Sequence, residues 1–163
     1  MTTARQSRKG RQAGYFCGLA AWMALTALAA HGAPAQPVVT DPQTGIAISG
    51  FDPVSFFADA ASNPGRPEWE LNIDGTVWRF RNEGNRTAFA ENPDVYAPQF
   101  GGHDPVAIAR GASVPGHPLF WAIKDQHLYL FYSEEARATF LADSQRIIGA
   151  AERKWPAVRS TLP

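Results

Sequence analysis

Cysteine is almost absent from this chain: of 163 residues, only Cys17 is one. A lone cysteine can form neither an internal disulfide nor a multi-thiolate metal centre. Charge of one sign is lacking too, since 15 Lys and Arg stand against 15 Asp and Glu. The basic footprint of a nucleic-acid-binding protein is therefore missing. No apolar run reaches the roughly 20 residues that a membrane-spanning helix needs. There is also no nucleophile elbow, no glycine-rich phosphate loop after a strand, and no His-Glu helix pair of the metalloprotease kind.

What the chain does have begins at its N-terminus. Arg5, Arg8, Lys9 and Arg11 precede a mostly apolar run over 15–30 and a small-residue segment over 27–35. This is a signal-peptide pattern covering residues 1–35, with cleavage after Ala29 or Ala35; an uncleaved N-terminal anchor is the alternative. Removing the segment takes Cys17 and four basic residues with it, leaving 11 basic against 15 acidic residues and a net charge of −4. Thiol-based catalysis is thereby excluded for the mature chain, which is expected in the periplasm or secreted, with no membrane span. Residues 36–44 read as a flexible leader, and the remaining 45–163 as one domain, large enough for a core without covalent staples.

That domain contains the same unit twice. Gly50-Phe51-Asp52-Pro53-Val54 returns as Gly102-His103-Asp104-Pro105-Val106, and Trp69 as Trp121, at an offset of 52; Asp74, Phe80, Glu83, Arg86 and Phe89 return as Asp125, Phe131, Glu134, Arg137 and Phe140 at 51. Trp78 is matched by Tyr129 and Asn82 by Ser133. The units span about 45–96 and 97–156. The shared residues are turn formers, helix caps and core aromatics, so the repeat speaks of architecture before chemistry.

The alternation in 45–49 predicts a short strand. Asp52-Pro53 and Asp104-Pro105 each predict the start of a short helix, Asp as N-cap and Pro at the first helical position. Alternating segments at 69–73 and 76–80 flank Asp74-Gly75, and 120–123 and 127–131 flank Asp125-Gln126, predicting two hairpins. Asn82 caps a helix over 83–91 that Pro93 ends. Ser133 caps a last helix carrying Phe140, Leu141, Ile147 and Ile148 on one stripe, closed by Trp155-Pro156. The fold class is α+β: a single domain of two pseudo-repeated ββα units, packed face to face or joined edge to edge.

The run Ile48-Ser49-Gly50-Phe51-Asp52-Pro53-Val54, the segment from Asn92-Pro93 through Tyr96-Ala97-Pro98-Gln99-Phe100-Gly101-Gly102, Leu128-Tyr129 and Trp155-Pro156 together resemble exported bacterial YHS-domain proteins. The resemblance covers essentially the whole mature chain, and Tyr96 to Gly102 is its most specific element. It implies metal handling or thiol redox chemistry. The chain departs from that pattern at each position that should carry it. Where metal-binding relatives place cysteines stand Ser55, Arg81 and Asn85, and where exported members place cysteine or selenocysteine stands Asp104. None of these side chains can replace a thiolate as nucleophile or soft ligand.

Among non-thiol candidates, His103-Asp104 beside the Gly-Gly turn offers an imidazole and a carboxylate to a divalent or copper ion. His117 and His127 are the other candidate ligands, although no His-x-His or His-x-x-His spacing places two on one element. For Asp104 the repeat favours helix capping, because Asp52 has the same context. Arg86 and Arg137 read as partners of nearby acids, with anion binding as the alternative. A residual pocket between the repeats, lined by rings beside the Gly101-Gly102-His103 turn, suits a small apolar or planar ligand. The functional expectation is a non-enzymatic binding or accessory protein taking a metal ion or small ligand near that turn. The alternative is a module that binds a periplasmic protein through the retained scaffold, and a third class is an enzyme with a non-thiol redox cofactor.

Overall fold

A computed structural model describes residues 37–162; the expected signal peptide lies outside them. The architecture is α+β, with two antiparallel hairpins, each followed by helices. The first unit contributes α1 (Ser55–Ala58), β1 (Arg66–Ile73), β2 (Thr76–Phe80), α2 (Glu83–Glu91) and α3 (Pro93–Tyr96). The second contributes α4 (Pro105–Ala109), β3 (His117–Lys124), β4 (His127–Phe131), α5 (Glu134–Ala142) and α6 (Ser144–Arg159).

Both hairpins turn where the sequence requires it. Asp74 and Gly75 have φ of 50° and 83°, and Asp125 and Gln126 have 51° and 63°, the left-handed pair that a two-residue turn needs to match strand twist. The strands form two separate two-stranded sheets, so the edge-to-edge joining is not the one adopted. Each hairpin has a register shift at the same place, between Arg66 and Glu70 and between His117 and Trp121.

This register corrects one equivalence. Glu70 pairs with Arg79 and Trp121 with Leu130, so Trp121 corresponds to Glu70, and Trp69 to Phe120. The residue missing from the second copy is therefore lost earlier, in the loop between the short helix and the hairpin. Backbone bonds on either side locate it: Asp52 N donates to Asn63 O and Asp104 N to Val114 O, while Gly65 N donates to Gly50 O and Gly116 N to Gly102 O.

Aromatic triads repeat with the backbone. Phe89 stacks on Trp78 at 4.8 Å and on Phe80 at 5.3 Å; Phe140 meets Tyr129 and Phe131, each at 5.0 Å. Each triad anchors the helix that follows its hairpin, α2 or α5, against that hairpin. The two cores meet at β4, where Tyr129 and Phe131 enter the second unit's core while Leu128 and Leu130 enter the first's. Alternation puts successive side chains on opposite faces, so a strand buried on both faces is apolar throughout. β2 lacks this role, and its corresponding Val77 and Arg79 are only half-buried.

Three sequence expectations give way to tertiary contacts. Residues 45–49 do not form a strand: Ile46 and Ala47 make isolated bridges to Val77 and Thr40, and Ile48 and Ser49 turn into left-handed backbone at φ 42° and 54°. The same turn recurs at Phe100, Gly101 and Gly102, where glycine makes it less costly. The last helix is broken at Asp143, as the first unit's is at Asn92, with φ near −150° and −141° respectively. Leu141 consequently lies exposed at the end of α5 rather than on the inner stripe. Finally, Trp155-Pro156 does not end α6, which runs on to Arg159 because Trp155 and Val158 are both buried. Within the segment read as a leader, Val39 N donates to Gly101 O and Val39 O accepts from Ile48 N.

Candidate functional site

Asp52 is wholly buried and its carboxylate is fully engaged. Oδ1 accepts from Val54 N at 2.8 Å; Oδ2 accepts from Arg81 N at 2.8 Å and from Asn85 Nδ2 at 2.6 Å. Ser55 Oγ donates to Asp52 O at 2.8 Å and also lies within hydrogen-bond distance of Ala61 O and Asn63 N. The positions Ser55, Arg81 and Asn85, scattered over thirty residues of sequence, thus converge on one aspartate. They form a satisfied polar network that pins the short helix, the loop and the start of α2 together.

Asp104 repeats the first half of this arrangement. It is the N-cap of α4, with Oδ1 accepting from Val106 N at 2.8 Å, and Oδ2 accepts from Tyr132 N at 3.2 Å. Tyr132 stands where Arg81 stands in the first unit. Both aspartates thus accept the amide two residues on at the start of a short helical segment, and each of their oxygens accepts at least one N–H. Only Asp104 is the N-cap that the sequence predicts, since α1 begins two residues later than expected, at Ser55, with Val54 as its N-cap.

The histidines are spread apart by their own local contacts. His103 is buried against Trp155, ring centroids 5.6 Å apart, with Nδ1 2.9 Å from Phe100 O. Burial holds its pKa below the ordinary 6.5, opposed by that carbonyl contact, so the neutral ring is favoured. His117 opens β3, where its Nδ1 accepts from Leu119 N at 3.2 Å, and His127 opens β4 with Nδ1 at 2.8 Å from Asp125 O. Among the described residues, no three His, Asp or Glu side chains come together in a group able to hold a metal ion. The two repeated arginines pair within their helices, Arg86 with Glu83 at 3.4 Å and Arg137 with Glu134 at 2.7 Å. Surface pairs of this kind contribute little to stability and leave no concentrated anion site.

A groove of about 560 Å³ lies between the repeats, beside the Gly-Gly turn. Ile73, Trp78 and Phe89 of the first unit line it together with Gln99, Phe100, Gly101, Arg159 and Leu162, the three rings lying almost wholly buried beneath its surface. Asp74 and Asp94 also line it. The volume is in the range of small-molecule sites, and a lining that mixes apolar and charged groups suits an orienting interaction at one end of a flat ligand. The rings were legible in sequence. Arg159 and Leu162 were not, because Pro156 signals a helix end that tertiary burial overrides. Beyond the groove, no helix among the described residues is long and apolar enough to cross a membrane. No family model, curated protein or solved structure matches the chain.

Proposed function

We propose that this chain is a small exported binding protein of the YHS-domain type, not an enzyme, and that it holds a planar, largely apolar molecule in the groove between its repeats. The observation that carries the reading is the groove itself, lined by Ile73, Ala97 and Leu162 with Arg159 among its charged groups, above the buried rings of Trp78, Phe89 and Phe100. A planar ligand would lie on these apolar side chains while a carboxylate or sulfonate on it meets the Arg159 guanidinium. The convergence of Ser55, Arg81 and Asn85 on Asp52 supports the resemblance, since those three positions are the ones the family pattern groups. A metal ion at the face carrying His103 has less support, because the His103 ring is turned onto Phe100 O and both Asp104 oxygens accept backbone donors.

The test uses the mature chain and the planar anionic dye anilinonaphthalene sulfonate. Saturable binding at micromolar dye is expected, with tryptophan emission quenched in step. Ala97→Phe, which puts a bulky ring at a residue lining the groove, should abolish it; Arg159→Gln should weaken it about tenfold, the equivalent of about 1.4 kcal/mol. Non-saturating binding, or binding indifferent to both substitutions, would sink the reading.

A further inference from the structure

The second unit contains a cavity where the first has its densest polar network. In the first unit Ser55 and Asn85 fill the space around Asp52, and Asn85 Nδ2 supplies the second donor to Oδ2. The backbone equivalences place Ala107 at the position of Ser55 and Ala136 at that of Asn85. Two polar side chains are thus replaced by methyl groups around a carboxylate that is only 3% exposed. The result is an open cavity of about 370 Å³, lined by Asp104, Ala107, Arg110, Tyr132, Glu135 and Ala136 among others.

Asp104 Oδ2 is left with a single donor, Tyr132 N, at 3.2 Å, against two at 2.8 Å and 2.6 Å for Asp52 Oδ2. A carboxylate oxygen has room for a second donor, and a buried one gains most from a charged N–H. Asp104 and Glu135 against Arg110 give the lining a net charge of −1. Neither Glu135 nor Arg110 has an ion-pair partner among the described residues.

We propose that this cavity is a second, independent binding site, for a small organic cation whose primary ammonium takes the place at Asp104 Oδ2 that the Asn85 amide takes at Asp52. The occupant carries a short chain, since the cavity sits at the lower end of the size range for ligand sites. It owes nothing to the groove between the repeats, which shares no lining residue with it.

The experiment is a titration of the mature chain with ethylammonium chloride, followed by amide NMR shifts, against sodium chloride at matched ionic strength. Saturable shifts of the Val106, Tyr132 and Ala136 amides are expected in the millimolar range. Acetamide, close in size and also an N–H donor but neutral, should bind at least fivefold more weakly. Ala136→Asn restores the first unit's donor from within; it should fold, shift the Tyr132 amide in the absence of any probe, and lose ethylammonium binding at least tenfold. Equal response to ethylammonium and acetamide overturns the proposal. So does binding that Ala136→Asn leaves unchanged, or the absence of saturable shifts in a folded protein.

Discussion

The Asp52 carboxylate reaches the Asn85 side chain at 2.6 Å across 33 residues of sequence, and the corresponding Asp104 meets only a methyl group at Ala136. Asp52→Ala strands three donors, Val54 N, Arg81 N and Asn85 Nδ2, and Asp104→Ala strands two, Val106 N and Tyr132 N. Arg81 N, Asn85 Nδ2 and Tyr132 N are only partly buried and regain some water. At the lower part of about 1–3 kcal/mol for each unpaired group, Asp52→Ala should therefore cost on the order of 4 kcal/mol and Asp104→Ala about 1 kcal/mol less than that. Urea midpoints at a common m-value measure the difference. A larger loss from Asp104→Ala would contradict the assignment of the fuller network to the first unit.

Gly101 lies under the N-terminal segment so closely that an added Cβ would stand 1.9 Å from Pro37 O, and its φ is +61°. Gly101→Ala should therefore displace residues 37–39 and break the bond from Val39 N to Gly101 O. Strained backbone adds about 1 kcal/mol to that loss. Hydrogen exchange at the Val39 amide should accelerate strongly while β4 amides stay protected. Unchanged protection at Val39 would show that the segment accommodates the methyl group.

His103 is held neutral by burial, its pKa below the ordinary 6.5. Above that value both folded and unfolded rings are neutral and the group contributes no pH dependence. As pH falls below about 6.5 the unfolded chain binds a proton that the folded one resists, so stability drops until the lowered folded pKa is reached. His103→Phe, the residue that stands at the equivalent Phe51, should flatten this slope between pH 6.5 and the onset of carboxylate titration. Thermal midpoints across that window, wild type against variant, decide it; parallel curves would assign the slope to other groups.

Pro156 sits inside α6 and has no N–H to offer the carbonyl four residues earlier. Its fixed φ lowers the entropy of the unfolded chain, which offsets part of that loss. Pro156→Ala should therefore raise stability by about 1 kcal/mol, a shift of about 3–5 °C in Tm for a domain of this size. Calorimetry reads it directly. A lowered Tm would mean that the proline is the better fit to the native backbone.

Much of the fold was legible because it rests on local chemistry. Asp74-Gly75 and Asp125-Gln126 fix their turns, Asn82 and Ser133 cap their helices through Asn85 N and Ala136 N, and β2 and β4 have the bounds that alternation predicts. The candidate site was legible only in part. Trp78, Phe89 and Phe100 were legible as aromatics that now lie buried beneath the groove, but Arg159 came to it only through a helix that continues past a proline. Ile48 and Ser49 concealed a left-handed turn because neither residue type signals one; only comparison with Gly101 and Gly102 would have raised the possibility.

By itself the sequence determined that two like units exist, what their turns and caps are, and that the chain beyond Cys17 has no thiol with which to work. These follow from backbone preferences and side-chain chemistry acting over a few residues. The tertiary structure decided how the units join, with β4 buried on both faces, and where one copy fills with polar groups while the other leaves a cavity. Those outcomes depend on side chains distant in sequence meeting around one carboxylate, and on buried area outweighing local signals at Pro156 and Ile48.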